Sequence, residues 1–162
     1  MPADRVRYLA ATLLALSLLA CSPANERSPD IVLADGWARE IAPGQSAAAV
    51  YLAIINRGEG GDRLVAATSP AASSATLHAS ASAGGVARMR PIEDGVAVPA
   101  RSRIELKPGG THIMLGGLKH DLEAGETIGI NLRFDRSGQR SIAIRIVPAT
   151  ARDGGTGHGM RM

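Results

Sequence analysis

Four residues between Thr76 and Met114 carry donor atoms of one chemical kind: His78, Met89, His112 and Met114. Imidazole nitrogen and thioether sulfur are borderline and soft donors. A thioether is a poor ligand for hard cations and a good one for Cu(I). The set therefore points to a single Cu(I) ion held by all four. His112 and Met114 are two apart, so a strand would put both on one face and turn Ile113 to the other. His78 and Met89 have ten residues between them, Gly84 and Gly85 included. A hairpin there would lay the two strands side by side. Each pair alone is ordinary, since a core methionine beside a rim histidine looks the same. Yet of four His and five Met, all but Met1 and His120 fall in these pairs or at the C-terminal end. His120 lies between Lys119 and Asp121 and reads as a solvated histidine.

The donor chemistry narrows the function classes. A neutral thioether has no proton to lose, whereas imidazole must be neutral to bind, so affinity should weaken on acidification through His78 and His112. A blue-copper electron carrier needs a Cys thiolate beside two His. The chain has one cysteine, Cys21, far from these residues. That count also excludes a disulfide within the chain and CxxC redox chemistry. No nucleophile–base pattern and no catalytic carboxylate pair is present, so an enzyme is not expected. Ligands near a surface, exchanged one at a time, suit a carrier.

Such ligands need a scaffold of strands. The 162 residues fit one domain plus a targeting segment, and 19 Gly and 9 Pro favour turns over helices. Aromatics are 2% of a chain that is 45% hydrophobic, so the core is aliphatic and modest. Apolar runs predict strands at 31–37, 47–55, 62–68, 75–80, 86–92, 96–98, 104–106 and 111–115, with 69–74 as a loop and 116–127 irregular. The clearest alternation comes last: Ile128, Ile130, Leu132 and Phe134 share one face, as do Ile142, Ile144 and Ile146, around a hairpin at 135–139. Many short strands separated by turn signals predict an all-β sandwich or barrel over residues 31–149.

Residues 1–20 carry Arg5 and Arg7 and then an apolar run from Leu9 to Ala20, the form of a secretory signal too short to span a bilayer comfortably. It ends in Leu18-Leu19-Ala20-Cys21, which resembles the lipobox of bacterial lipoproteins. Cys21 would then be lipidated and anchor the protein in the bilayer, with residues 21–30, containing Pro23 and Pro29, as a tether. Ser22 after the cysteine points to the outer membrane in a Gram-negative cell. Loss of residues 1–20 lowers the net charge from +3 to +2. With so mild an excess, no basic run and few aromatics, no nucleic-acid partner is expected.

The stretch Met89-Arg90-Pro91-Ile92 followed by Leu106-Lys107-Pro108-Gly109-Gly110-Thr111-His112-Ile113-Met114-Leu115 resembles the PCu(A)C family of periplasmic copper chaperones. Their signature is a His, ten residues, a Met, about twenty-one residues and His-x-Met. Here twenty-two residues separate Met89 from His112, and the extra one is expected in the Glu93-Asp94-Gly95 turn, where an insertion is cheap. Ala79 replaces the acidic residue or Met that usually follows the first His. The likeness extends upstream through Trp37, Tyr51, Asn56, Asp62-Arg63-Leu64 and Ser69-Pro70-Ala71-Ala72. It implies a cupredoxin-like Greek-key β-sandwich or barrel, and an exposed Cu(I) site at His78, Met89, His112 and Met114. It also implies a copper-accepting partner, either the binuclear copper centre of cytochrome c oxidase or another carrier. A copper-sequestering envelope lipoprotein with the same site is the alternative. A monomer in the periplasm is expected. Residues 150–162, with His158, Met160 and Met162, read either as a flexible second site, taking Cu(II) through His158, or as an incidental low-complexity end. Trp37 reads as packing support or as a lid over the thioether site.

Overall fold

The computed structural model describes residues 27–83 and 86–152. The signal segment, Cys21, Gly84-Gly85 and the tail residues His158, Met160 and Met162 lie outside the described residues. The described residues form ten strands: β1 (Ile31–Arg39), β2 (Ala47–Asn56), β3 (Asp62–Thr68), β4 (Ala72–Ala83), β5 (Val86–Pro91), β6 (Val96–Val98), β7 (Ser102–Leu106), β8 (Thr111–Leu118), β9 (Thr127–Phe134) and β10 (Gly138–Val147). They join in the order β5-β4-β8-β2-β1-β10-β9-β3-β6. β2 pairs β8 through Ala47–Val50 and β7 through Leu52–Asn56. Only the β1–β10 ladder is parallel among these pairings. β3 pairs β9 while β4, next in sequence, crosses to pair β8. The all-β architecture is the one the strand pattern predicts, and these crossovers are of the Greek-key kind that the resemblance implies.

The alternation explains the layering. Ile128, Ile130, Leu132 and Phe134 on β9 are buried, as are Ile144 and Ile146 on β10. They meet Val50, Leu52 and Ile54 of β2, Leu64 of β3, and Ile113 and Leu115 of β8 in one core. Burying each such side chain contributes about 1.5–3 kcal/mol relative to leaving it exposed. β2 is buried on both faces: Val50, Leu52 and Ile54 point into this core, while Tyr51 lies on the other face under Trp37.

Several strands run longer than the sequence reading: β1 to Arg39, β4 to Ala83 and β7 from Ser102. Two extensions matter most: β4 starts at Ala72 rather than near Ala75, and β8 continues through Gly116 to Leu118, where irregular chain is expected. The two extensions pair with each other, Ser74 opposite Gly116 and Ala72 opposite Leu118. Ser73 and Ser74 hydroxyls donate to the carbonyls of Gly117 (3.1 Å) and Gly116 (3.4 Å). A Cβ on Gly116 would stand 2.7 Å from Ser74 Oγ, so this ladder needs small residues and shows no apolar alternation. Beyond it, Lys107-Pro108-Gly109-Gly110 makes the expected turn into β8, closed by Gly110 N–H on Lys107 O (3.0 Å), with Gly109 at φ 76°.

Candidate metal centre

Strand β4 is flanked by β5 and β8, and its pairing decides which donor side chains meet. His78 is directly opposite His112 on β8, and Thr76 is opposite Met114. Cross-strand partners share a face, so Met114 lies one diagonal step from His78. On the other flank, His78 is opposite Pro91 and Ser80 is opposite Met89. Met89 is thus also one diagonal step from His78, in the reverse direction along the strand. Diagonal neighbours stand roughly 7–8 Å apart, within reach of a long side chain. All four donor residues share one face of three adjacent strands, with His78 as their hub. The two imidazole rings have centroids 5.9 Å apart at 60°. Ile113, between His112 and Met114, is fully buried on the opposite face, as the strand period requires.

The four differ in how firmly they are held. His112 is buried at 4% exposure and Met89 stands 57% exposed. His78 and Met114 are half-buried. Position within the sheet accounts for the contrast. β8 lies between β4 and β2, whereas β5 ends the strand order.

The ring nitrogens have distinct roles. His112 Nδ1 is 3.1 Å from Gly110 O. A carbonyl only accepts, so Nδ1–H donates and Nε2 of the neutral ring keeps its lone pair. His78 Nε2 is 3.1 Å from Thr76 Oγ1, whose hydroxyl also lies 3.5 Å from Met114 O. With that hydroxyl proton directed to the Met114 carbonyl, His78 Nε2–H donates to Oγ1 and the lone pair falls on Nδ1. That nitrogen is buried and has no hydrogen-bond partner in the protein. Leaving a buried polar atom unsatisfied costs about 1–3 kcal/mol. An electron-pair acceptor at Nδ1 would relieve the cost, and a soft metal ion fits a site otherwise lined by imidazole and thioether.

An aromatic row backs the histidines. Tyr51 on β2 lies with its ring centroid 6.3 Å from that of His112, and Trp37 on β1, paired with Tyr51, stacks on it at 4.6 Å. Burial raises the Tyr51 phenol above its usual range, partly offset by the Arg39 charge. The Arg39 guanidinium sits 5.6 Å over the Trp37 ring and its Nε donates to Ala151 O at 2.8 Å. Trp37 is therefore packing support one residue removed from His112. His120 is exposed and separate, with Nδ1 on the Asp121 carbonyl (2.8 Å) and 3.7 Å from Glu126. Among the described residues no group of three or more His, Cys, Asp or Glu gathers to hold a metal, so the candidate centre depends on its thioethers. The parts played by Thr76, the Gly110 carbonyl and Tyr51 escape a motif-based reading, although Gly110 and Tyr51 lie within the PCu(A)C-like stretches and Thr76, a hydroxyl two residues before His78, falls on the same face.

A family model described as "Putative lipoprotein LpqE-like" matches residues 31–146. The chain is 36% identical over 151 residues to "Putative lipoprotein Lxx21020" of Leifsonia xyli subsp. xyli, covering 86% of this chain and 90% of that one. Among solved structures, the apo PCuAC domain from PmoF1 aligns with TM-score 0.61 at 29% identity, over 74% of this chain and 97% of that domain. The solution structure of CuI-DR1885 from Deinococcus radiodurans aligns with TM-score 0.60 at 27% identity, over 81% of this chain and 87% of that one.

Proposed function

The chain belongs to the LpqE-like family, and from that premise we propose that it is a lipid-anchored Cu(I) chaperone of the bacterial envelope. The observation that carries the reading is the register that puts His78, His112, Met89 and Met114 on one face of three adjacent strands, with a buried His78 Nδ1 that lacks a partner. The fold likeness to PCuAC domains and to the Cu(I)-bearing DR1885 supports it. His78 would offer Nδ1, His112 would offer Nε2, and Met89 and Met114 would offer their thioethers. These are neutral donors, which leave the ion its own charge and suit Cu(I) better than a harder cation. Anchoring would run through Cys21, as the family's lipoprotein name suggests.

Copper is cargo here, so the site must release it. An acceptor could displace the exposed Met89 thioether first and the braced His112 last. Delivery to the binuclear copper centre of cytochrome c oxidase is the finer part of the proposal, resting on the His-Met signature in sequence. A Cu(I) competition titration of residues 22–152 beside a Met89→Leu/Met114→Leu variant tests the site. One equivalent bound by the parent and at least tenfold weaker binding by the variant is expected. No binding, or binding indifferent to both methionines, overturns it. Loss of oxidase activity at low copper in a deletion strain supports delivery, and sensitivity only at high copper refutes it in favour of sequestration.

A further inference from the structure

The face that carries the candidate ligands continues past Tyr51 and Trp37 into a groove of about 430 Å³. Its origin is a β-bulge in β1 between Ala34 and Trp37, where Asp35 takes φ 54°. Bulges of this kind bend a strand and open its surface. Trp37, Leu52, Ala53, Leu106 and Pro108 supply apolar walls, and the rest of the lining is charged. Four cations, Arg103, Lys107, Arg145 and Arg152, face two carboxylates, Asp35 and Glu105. Both carboxylates are engaged by Arg103, at 2.8 and 3.2 Å.

We propose that this groove docks an acidic, extended segment of the protein that exchanges copper with this chain. Its carboxylates would meet Lys107 and Arg152, and an apolar side chain would rest between Trp37 and Pro108. The charge balance of the lining favours an anionic occupant. The recess favours an inserted peptide over an anionic bilayer, which presents a flat array of headgroups. Location favours a copper-exchange partner. The turn that supplies Lys107 and Pro108 also supplies the Gly110 carbonyl that orients His112, and Trp37 is wall to the groove and brace to Tyr51. A segment seated here would lie beside the ligands. The proposal rests on the copper reading for the partner's identity, but not for the groove's binding chemistry.

Trp37 is the chain's one tryptophan and reports on the groove. The copper-free chain, residues 22–152, is titrated with a synthetic peptide of alternating acidic pairs and leucines, followed by Trp37 emission and by calorimetry. Saturable binding is expected, weakened by added salt and about tenfold weaker in a Lys107→Glu/Arg152→Glu variant, with Lys119→Glu unchanged. Absence of binding by calorimetry overturns the proposal, as does equal affinity in the double variant. So does cosedimentation with phosphatidylglycerol vesicles that the double variant loses while the peptide fails to bind. The parent's Cu(I) titration is run separately, so failure of the groove and failure of the metal site are told apart.

Discussion

Thr76→Val tests whether the hydroxyl beside His78 sets that ring's tautomer. The substitution keeps a β-branched shape at an exposed strand position, so the fold should tolerate it. What it removes is the 3.1 Å contact to Nε2 and the hydroxyl's link to the Met114 carbonyl. A hydrogen bond of this type contributes about 0.5–1.5 kcal/mol net. Thr76 is exposed, so water can partly replace it, which confines the loss to about 0.5–1 kcal/mol. At 1.4 kcal/mol per tenfold, Cu(I) affinity should fall about two- to fivefold. That is below the ten- to hundredfold typical of fully enclosed partners of metal-bound histidine. The assay is competition with a chromophoric Cu(I) chelator. It is paired with nitrogen-15 NMR of His78 in the copper-free protein, which should report Nε2–H in the parent and mixed tautomers in the variant. Thr76→Ser should restore both. An unchanged affinity with an unchanged tautomer, or a Ser variant as weak as Val, would refute the assignment of Nδ1 as the donor atom.

Ile113→Ala should cost about 2–5 kcal/mol in denaturant unfolding, because Ile113 is fully buried and cannot be replaced by collapse of a tight core. A loss under 1 kcal/mol would show that β8 is not anchored there. Asn56→Ala should lower stability by about 2–4 kcal/mol, several times the 1 kcal/mol of a typical bond. Its buried amide donates to Gly60 O (2.8 Å) and Pro99 O (3.0 Å), and its carbonyl accepts from Asp30 and Gly58 N–H. A change below 1 kcal/mol would refute that role. Burial would raise the Asp62 carboxyl, but hydrogen bonds from the Ser137 hydroxyl and the backbone of Arg136, Arg63 and Ser137 outweigh it and hold the group below its usual range. A depressed folded value means the stabilisation is present above about pH 4 and fades as pH falls through the folded value. The carboxylate is half-buried near the surface, so the effect is small; Asp62→Asn should flatten that acid limb of the stability profile and lower stability above it, because an amide nitrogen cannot accept from the Ser137 hydroxyl and backbone N–H.

What could be read from sequence follows from what is local. The strand period alone placed His112 and Met114 on one face and Ile113 on the other, because side-chain direction along a strand needs no partner. The Lys107–Gly110 turn and the β9–β10 hairpin were legible for the same reason: Pro, Gly and strict alternation act over a few residues. Register was not legible. That His78 stands opposite His112, rather than one step away, is set by the β4–β8 ladder between strands distant in sequence. A slip of one residue there would turn His78 to the other face. The Ser73–Ser74 and Gly116–Gly117 ladder read as loop because its pairing depends on small size and hydroxyl bonds, not on apolar burial. Asn56 carries a turn-like sequence signal, yet its partners near residues 30 and 99 become visible only once the chain is folded. The resemblance grouped His78, Met89, His112 and Met114 into one expected site, but it carried no register either.

The uneven support of the four donors bears on why this face would carry copper rather than keep it. His112 is buried, oriented by the Gly110 carbonyl, and backed by Tyr51 and Trp37 on strands paired on both sides. Met89 stands on the terminal strand of the sheet, which pairs with β4 alone among the described strands, and most of its side chain is in solvent. Opening free energies are lowest where burial and flanking hydrogen bonds are fewest, so the β5 ligand is the cheapest to release. A site with four donors as firmly held as His112 would bind tightly and exchange slowly. Replacing one anchored donor with an exposed thioether gives an incoming donor a place to enter before the ion is free. On this argument Met89→Leu should leave the thermal midpoint unchanged, since the side chain packs against little. It should raise the Cu(I) dissociation rate more than Thr76→Val does. A Met89 variant that releases copper no faster than the parent would mean that exchange begins elsewhere on the face.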